Sequence, residues 1–435
     1  GMMPSDDVGE APASPGRNPG GALHALREAN MRKVLEVIGA DGGLSQAEVG
    51  RRTGLCRATV SNMVAELRRL GLVHGSAPTP GARGRLEVSV PRAGVVIGVD
   101  YGDRHVRVGI ADLGGRVLAD AEHPLPPDAG AQESCLVAHG VITRLLESDH
   151  IPAGDVLQVG VGVPRSVDGI SGRLVGRSAR HPWVEVDARA VLEETFGLPV
   201  MIDNDCNLGA LGELRQGAGR GLTDIVYFHA GERVGAGVVL GGRLHHGAAG
   251  TAGEIGHMTV DPHGQICRCG NRGCLETVVG TTSFLAQLRG GYGPGLEVAE
   301  VIELAAQGDP RCQRALTDAG RAMGTVAADL CNLLSPQRVV VAGPIFAAGE
   351  MILGPMRDTV KHRAVPAAAR AVEIVRSHLN GSAEMVGAIW LALDAIHQRA
   401  TRGVLASMAP AVAERRLEAS VSLTARMTRS TAALG

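Results

Sequence analysis

Across the eighteen residues from His257 to Cys274 the chain sets the imidazole of His257 and three thiols in a tight pattern: His257, then Cys267-Arg268-Cys269, then Gly273-Cys274 followed by Leu275-Glu276. Three thiolates and one imidazole are a ligand set that tetrahedral zinc takes. Gly264, Gly270 and Gly273 let a short loop turn sharply around an ion. If one ring nitrogen of His257 binds metal, the other faces outward and needs a partner. Glu254 and Glu276 flank the loop, so the neighbourhood reads as a polyol pocket beside a structural metal. The alternative is a set of buried thiols that merely pack. Cys-x-Cys in a glycine-rich loop speaks against that. A disulfide fits less well, because no secretory signal is visible and Cys56, Cys135, Cys206, Cys312 and Cys331 stand isolated.

A chain of 435 residues, 45% hydrophobic, has room for two or three domains with cores of their own. Aromatics are only 2%, so those cores rest on Val, Leu, Ile and Ala. Lys occurs only at Lys33 and Lys361, which reads as a codon bias toward Arg. The net charge of −2 becomes informative once divided. Residues 17–92 hold 12 Arg and Lys against 6 Asp and Glu, while the remainder is mildly acidic. A small basic region joined to a large acidic one points to nucleic acid at one end and another ligand at the other. No apolar run reaches transmembrane length, so no membrane partner and a cytoplasmic location are expected.

Residues 1–20, rich in Pro, Gly, Ala and Ser, are expected to be a disordered tail. Helical periodicity follows, with Leu23, Leu26, Met31, Val34, Leu35 and Ile38 on one face, ending at Gly42-Gly43. Ser45 can cap the next helix with Glu48 as its capping-box partner. Thr53-Gly54-Leu55 makes a turn, and a second helix starts at Arg57. Val60, Met63, Val64 and Leu67 would face the core, leaving Arg57, Thr59, Ser61 and Asn62 outward near its first turns. That is a helix-turn-helix pattern, whose second helix enters the major groove. A hairpin-like segment follows, with Arg83 and Arg85 at its tip as a wing touching phosphates or a minor groove. We therefore expect an all-α/winged helix-turn-helix domain over 21–92; a helical subdomain with a solvated charged face is the alternative.

From Val95 the pattern becomes α/β. A three-strand meander (Val95 to Asp100, Val106 to Ala111, Val117 to Ala121) feeds a helix over 134–146 and a strand over 156–163. A helix at 188–196 precedes the strand Val200-Met201-Ile202, which ends in Asp203-Asn204-Asp205. Polar groups at the carboxyl end of such a strand sit where α/β folds bind ligands. Asn204 and Asp205 could grip hydroxyls, and Asp205 could act as a general base. Either could instead cap the following helix. A second meander over 224–246 repeats the first, suggesting two lobes of similar plan with a cleft between. Helices follow at 283–288, 297–306 and 311–334, strands at 338–342 and 372–375, and a helix at 383–397. We place a first lobe over 93–205, completed by the helix 383–397, a second over 206–382 with the zinc loop 257–274, and a tail over 401–435.

Together the Glu-x-Gly-His and Cys-x-Cys-Gly-x-x-Gly-Cys-Leu-Glu runs resemble the ROK family of repressors and sugar kinases, over roughly residues 22–397. The resemblance implies an actin-like (ribonuclease H-like), two-lobed α/β sugar-kinase fold with a structural zinc (Zn2+) on His257, Cys267, Cys269 and Cys274. It implies sugar hydroxyls held by Asn204, Asp205, Glu254, His257 and Glu276, with Asp205 as catalytic base in members that phosphorylate. The amino-terminal helix-turn-helix resembles the repressor branch, whose members are dimers or tetramers on operator DNA.

Several residues depart from the kinase pattern. The first phosphate loop of kinase members has the form Asp-x-Gly-Gly-Thr-Lys, but here reads Asp100-Tyr101-Gly102-Asp103-Arg104-His105. The second, Gly-Thr-Gly-x-Gly-Ala-Gly, reads Gly231-Glu232-Arg233-Val234-Gly235-Ala236-Gly237. Such loops work by exposed backbone N–H groups. Glu232 and Asp103 would set carboxylates near a polyphosphate, each opposing it by about 4 kcal/mol at about 4 Å and an effective dielectric near 20. Arg104 and Arg233 would partly offset this. ATP and Mg2+ are therefore not expected as cofactors. Gly343-Pro344 replaces a Gly-rich adenosine-side motif. Arg165-Ser166 stands where kinase members carry small residues. Arg165 could reach the ligand and favour an acidic or phosphorylated sugar, or could be a surface Arg. The expectation is a sugar-responsive regulator in which effector binding changes the spacing of two DNA-binding heads. The rival is an ATP-dependent hexose or amino-sugar kinase using Asp205.

Overall fold

The computed structural model describes residues 19–41, 44–69, 73–76, 87–89, 94–126, 129–168, 174 and 187–401. Of the expected tails 1–20 and 401–435, Pro19, Gly20 and Thr401 prove helical; the rest of both tails, and the wing tip with Arg83 and Arg85, lie outside the described residues. The chain divides into two compact units, Gly1–Val90 with His397–Val404, and Pro91–Ile396 with Leu405–Gly435.

In the small unit α1 (Pro19–Asp41) is followed by β1 (Leu44–Ser45), α2 (Gln46–Thr53), α3 (Arg57–Arg69), β2 (His74–Ser76) and β3 (Glu87–Ser89). Ser45 caps α2 as its sequence implies: its Oγ accepts the Glu48 N–H at 3.3 Å, a contact worth about 1 kcal/mol. Gly54 ends α2 at φ 71°, a left-handed position that a side chain would strain. Val49, Val60, Val64 and Leu67 are buried together with Met31, Leu35 and Ile38. The three short strands pair antiparallel in the order β1-β3-β2.

The large unit holds two five-stranded sheets. The first is built from β4 (Val95–Tyr101), β5 (His105–Asp112), β6 (Val117–Pro124), α4 (Ala131–Ser148), β7 (Val156–Val163), α5 (Ala188–Phe196) and β8 (Val200–Asn204). After it come α6 (Asp205–Gln216), β9 (Ile225–Ala230), β10 (Val234–Leu240) and β11 (Arg243–Leu244). Then follow α7 (Glu276–Val279), α8 (Thr281–Tyr292), α9 (Val298–Ala306), α10 (Pro310–Leu334) and β12 (Arg338–Ala342). The unit closes with α11 (Glu350–Arg363), α12 (Pro366–Ala371), β13 (Glu373–Arg376) and α13 (Ala383–Thr401).

Strand order is β6-β5-β4-β7-β8 in one sheet and β11-β10-β9-β12-β13 in the other. Each is an antiparallel meander extended by two parallel strands, so the expected duplication of plan is real. The central strand β4 is buried along its whole length, whereas the edge strand β6 alternates. That is why the former reads as a continuous apolar run.

Between the sheets α6 and α13 cross at backbone contact. A Cβ on Gly387 would lie 1.8 Å from the Leu208 carbonyl oxygen, and one on Gly160 of β7 would lie 1.9 Å from that of Ala388. Neither position tolerates a side chain. Arg215 of α6 pairs with Asp394 of α13 at 3.3 Å and lies over the Trp390 ring.

The helices α11 and α12 were not expected. Pro355 lies inside α11, and an interior proline is ordinarily a helix breaker. Here Ile352, Leu353, Met356 and Val360 are buried in the same core as Leu316, Met323 and Val326 of α10. Tertiary burial outweighs the local penalty. Among the described residues no helix is long and apolar enough to cross a membrane.

Candidate functional site

The loop between β11 and α7 folds back on itself through isolated bridges, Thr259 with Cys274 and Ile266 with Arg272. Gly273, at φ 65°, lies so close to Asp261 that a Cβ would sit 1.5 Å from its carbonyl oxygen. This fold brings His257, Cys267, Cys269 and Cys274 together, with all four ligand atoms within 4.8 Å of one another. Cys267 Sγ lies 3.5 Å from His257 Nδ1, and Cys269 Sγ lies 3.7 Å from Cys274 Sγ. A tetrahedron with metal–sulfur bonds of about 2.3 Å and metal–nitrogen bonds of about 2.0 Å has edges of roughly 3.8 and 3.5 Å. The donor set therefore fits a tetrahedral metal. All three thiols are free. Burial pushes the Cys274 thiol up to about 12, with Cys269 and Cys267 adding to the effect, so a metal must displace protons to bind. The other His257 nitrogen, Nε2, faces Glu254 Oε2 at 3.8 Å.

Asn204 and Asp205 divide the two roles that the sequence left open. Asn204 is the N-cap of α6: its Oδ1 accepts the Asn207 N–H at 3.1 Å. Its amide donates to the Arg165 carbonyl at 3.2 Å and to Asp205 Oδ1 at 2.9 Å. Asp205 Oδ1 also accepts the Cys206 N–H at 2.8 Å. Its Oδ2 has no hydrogen bond to the described residues. Burial first, then the charges of Asp100 and Glu384, raise the Asp205 carboxyl well above the usual carboxylate range. A protonated carboxyl can donate to a ligand oxygen as well as accept from a hydroxyl.

Glu254 is exposed, and its Oε1 accepts from the Ser166 hydroxyl. Glu276 is buried and engaged. Arg268 donates to it twice, at 2.6 and 3.2 Å, and the Val234 N–H donates at 3.2 Å. A sugar hydroxyl reaching Glu276 would share it with Arg268.

The two turns that depart from the kinase pattern meet each other. Arg233 Nε donates to Asp103 Oδ1 at 3.0 Å, and Arg104 approaches Glu232 at 4.0 Å. The Thr282 hydroxyl donates to Glu232 at 2.7 Å. His105 lies 3.5 Å from the buried Asp100, which holds its imidazole pKa up. Opposite charges from the two turns thus face each other, one pair hydrogen-bonded and the other 4.0 Å apart.

Sequence reasoning missed the support behind these residues. Asp203 Oδ1 accepts from Asn207 Nδ2 at 2.9 Å, and its Oδ2 pairs with His246 at 2.7 Å. The buried Glu384 of α13 accepts from Tyr227 at 2.6 Å. These partners lie 43 and 157 residues apart, beyond any local motif. The His246 imidazole pKa is raised by its hydrogen bond to Asp203.

In the small unit, Arg57, Ser61 and Asn62 are exposed on the first turns of α3. Thr59 is half-buried and lies 3.1 Å from Cys56 Sγ.

Residues 96–395 match the ROK family model and residues 33–83 the MarR family model. The xylose repressor of Bacillus spizizenii is 29% identical over 368 residues, 83% of this chain and 94% of its own length. The structure of a ROK family transcriptional regulator, a homologue of the E. coli MLC protein, superposes with a TM-score of 0.71. It covers 88% of this chain and 98% of its own, at 22% identity. The ROK family glucokinase of Streptomyces griseus, solved with glucose and AMPPNP, has a TM-score of 0.60. It is 30% identical over 69% of this chain and 99% of its own.

Proposed function

The chain belongs to the ROK family, and from that premise we propose that it is a sugar-responsive DNA-binding transcription regulator, a repressor, that has lost kinase activity. The observation that carries this reading is the pairing of Asp103 with Arg233 and of Arg104 with Glu232. A phosphate cradle needs bare backbone N–H groups. Here four charged side chains stand in the two turns, Arg233 bonded to Asp103 and Arg104 4.0 Å from Glu232. Asn204, Asp205, Glu254, His257 and Glu276, the residues that the family resemblance assigns to sugar hydroxyls, are all present. A relative named as a xylose repressor, aligned over 83% of the chain, supports the same reading. So does the exposure of Arg57, Ser61 and Asn62 on a MarR-like recognition helix.

His257, Cys267, Cys269 and Cys274 would hold a zinc ion that serves structure, fixing the loop that leads to Glu276. Glu254, His257 and Asp205 would take ligand hydroxyls. The regulator acts in the cytoplasm on operator DNA as a homodimer or homotetramer, with Arg83 and Arg85 completing the DNA contact. Effector binding alters DNA affinity only through its differential affinity for two arrangements of the protein. Fluorescence anisotropy on operator DNA, with and without a broad panel of sugars, tests this. A shift with at least one sugar is expected; no shift across the panel sinks the reading.

A second reading, residual kinase activity, draws on the glucokinase relative and on the unengaged oxygen of Asp205. A coupled assay for ADP release with hexoses discriminates. Turnover that Asp205→Asn abolishes would establish it.

A further inference from the structure

Resting on the reading of the cleft as an effector site, we propose that the effector is an anionic sugar, bearing a phosphate or a carboxylate, and that Arg165 reads that group.

Arg165 follows β7 in the turn Gly162-Val163-Pro164-Arg165-Ser166. Its backbone is held through both its N–H and its carbonyl. The Arg165 N–H bonds the Val163 carbonyl at 2.8 Å, and its own carbonyl accepts from the Asn204 amide at 3.2 Å. The next residue, Ser166, donates to Glu254. The turn is thus tied to two residues assigned to sugar hydroxyls.

Three guanidinium groups share this neighbourhood, and they differ in one respect. Arg233 has Asp103, and Arg268 has Glu276. Arg165 has no carboxylate within ion-pair distance and no side-chain hydrogen bond among the described residues. Its Nε is shielded from solvent and lacks an acceptor. Buried N–H groups ordinarily have partners, so an orphan asks for one. Burial, and then the positive charges of Arg233 and Arg268, lower the Arg165 pKa. Glu254 offsets this in part, but it lies beyond ion-pair distance, whereas Arg233 and Arg268 each hold a carboxylate directly. A planar donor fork of this kind matches the paired oxygens of phosphate or carboxylate.

The test uses the full chain and isothermal titration with a neutral hexose, its 6-phosphate, the matching uronate, and inorganic phosphate. The phosphate or the uronate should bind at least about ten-fold tighter than the neutral parent, and the tighter of the two names the anion. Arg165→Gln should bring that ratio near one, while Arg165→Lys retains part of it. A neutral hexose binding as tightly as both derivatives overturns the inference and leaves the effector reading standing. So does Arg165→Gln weakening neutral and anionic sugars equally, or inorganic phosphate matching the sugar phosphate. If no sugar of any class binds, the effector reading fails first and this inference with it.

Discussion

Two irregular stretches of the large unit are built on opposite principles. The metal loop keeps four ligand atoms within 4.8 Å of one another. The two turns around Asp103 and Arg233 carry charged side chains: Arg233 bonds Asp103 at 3.0 Å, and Arg104 lies 4.0 Å from Glu232. The difference lies in what each stretch asks of its residues. A metal site is made of side chains, so its identity resides in four positions. A phosphate cradle is made of backbone N–H groups, so any large side chain can fill it. The first is lost all at once; the second can be converted by substitutions that compensate one another.

The strongest way to break this comparison is to remove a ligand. Cys274→Ser should abolish zinc binding and lower stability by about 3 kcal/mol or more, given that structural zinc contributes about 10 kcal/mol or more in small zinc-dependent domains. Metal analysis of the purified protein and thermal denaturation measure both. Wild-type protein free of zinc, or a variant of unchanged stability, would place the loop alongside the turns as a relic.

The DNA-binding unit is the next test, because it should be indifferent to both stretches. Arg57→Ala or Asn62→Ala should each weaken operator binding by about 1–3 kcal/mol if they reach base edges. Sugar affinity should not move. Loss of sugar binding in either variant would show that the two functions are not separable in this way.

Restoring glycine in the turns sharpens the comparison from the other side. The double variant Asp103→Gly with Arg233→Gly removes the closer ion pair. Both side chains are partly exposed, so stability should fall by no more than about 1 kcal/mol. If the charges block nucleotide, AMPPNP binding should appear in calorimetry where wild type has none. Nucleotide bound equally by both proteins would remove the central support for a lost cradle.

The same contrast explains what could be read in advance. The metal loop was legible because its ligands are local in sequence and chemically distinctive. The two meanders were legible because their alternation is local too. The helix α11 was hidden by Pro355, whose cost is offset only by burial against α10. Asn204 and Asp205 were found as a pair, but only the hydrogen bond to Asn207 tells the cap from the residue with a spare oxygen. The grip of Arg268 on Glu276 joins two residues within the quoted motif, yet spacing alone does not reveal which way a side chain turns. The partnership of Asp103 with Arg233 needed the fold, since it joins turns from different sheets.

The smallest effect concerns the pair beneath Asn204. His246 and Asp203 join the loop after β11 to the end of β8 at 2.7 Å. The His246 pKa is raised in the folded protein, so the protonated ring binds its partner more strongly folded than unfolded. Its contribution is fully present below the unfolded value of about 6.5 and is lost as pH rises through the folded value. The ring is partly exposed, so the effect should stay at or below about 1 kcal/mol. The difference in melting temperature between wild type and His246→Gln, followed from pH 5.5 to 8.5, should be largest at the acid end and shrink with rising pH. A difference that grows toward alkaline pH would mean that the neutral ring holds Asp203. The clasp between the sheets would then be an ordinary hydrogen bond, without the charge that ties together the two converted turns.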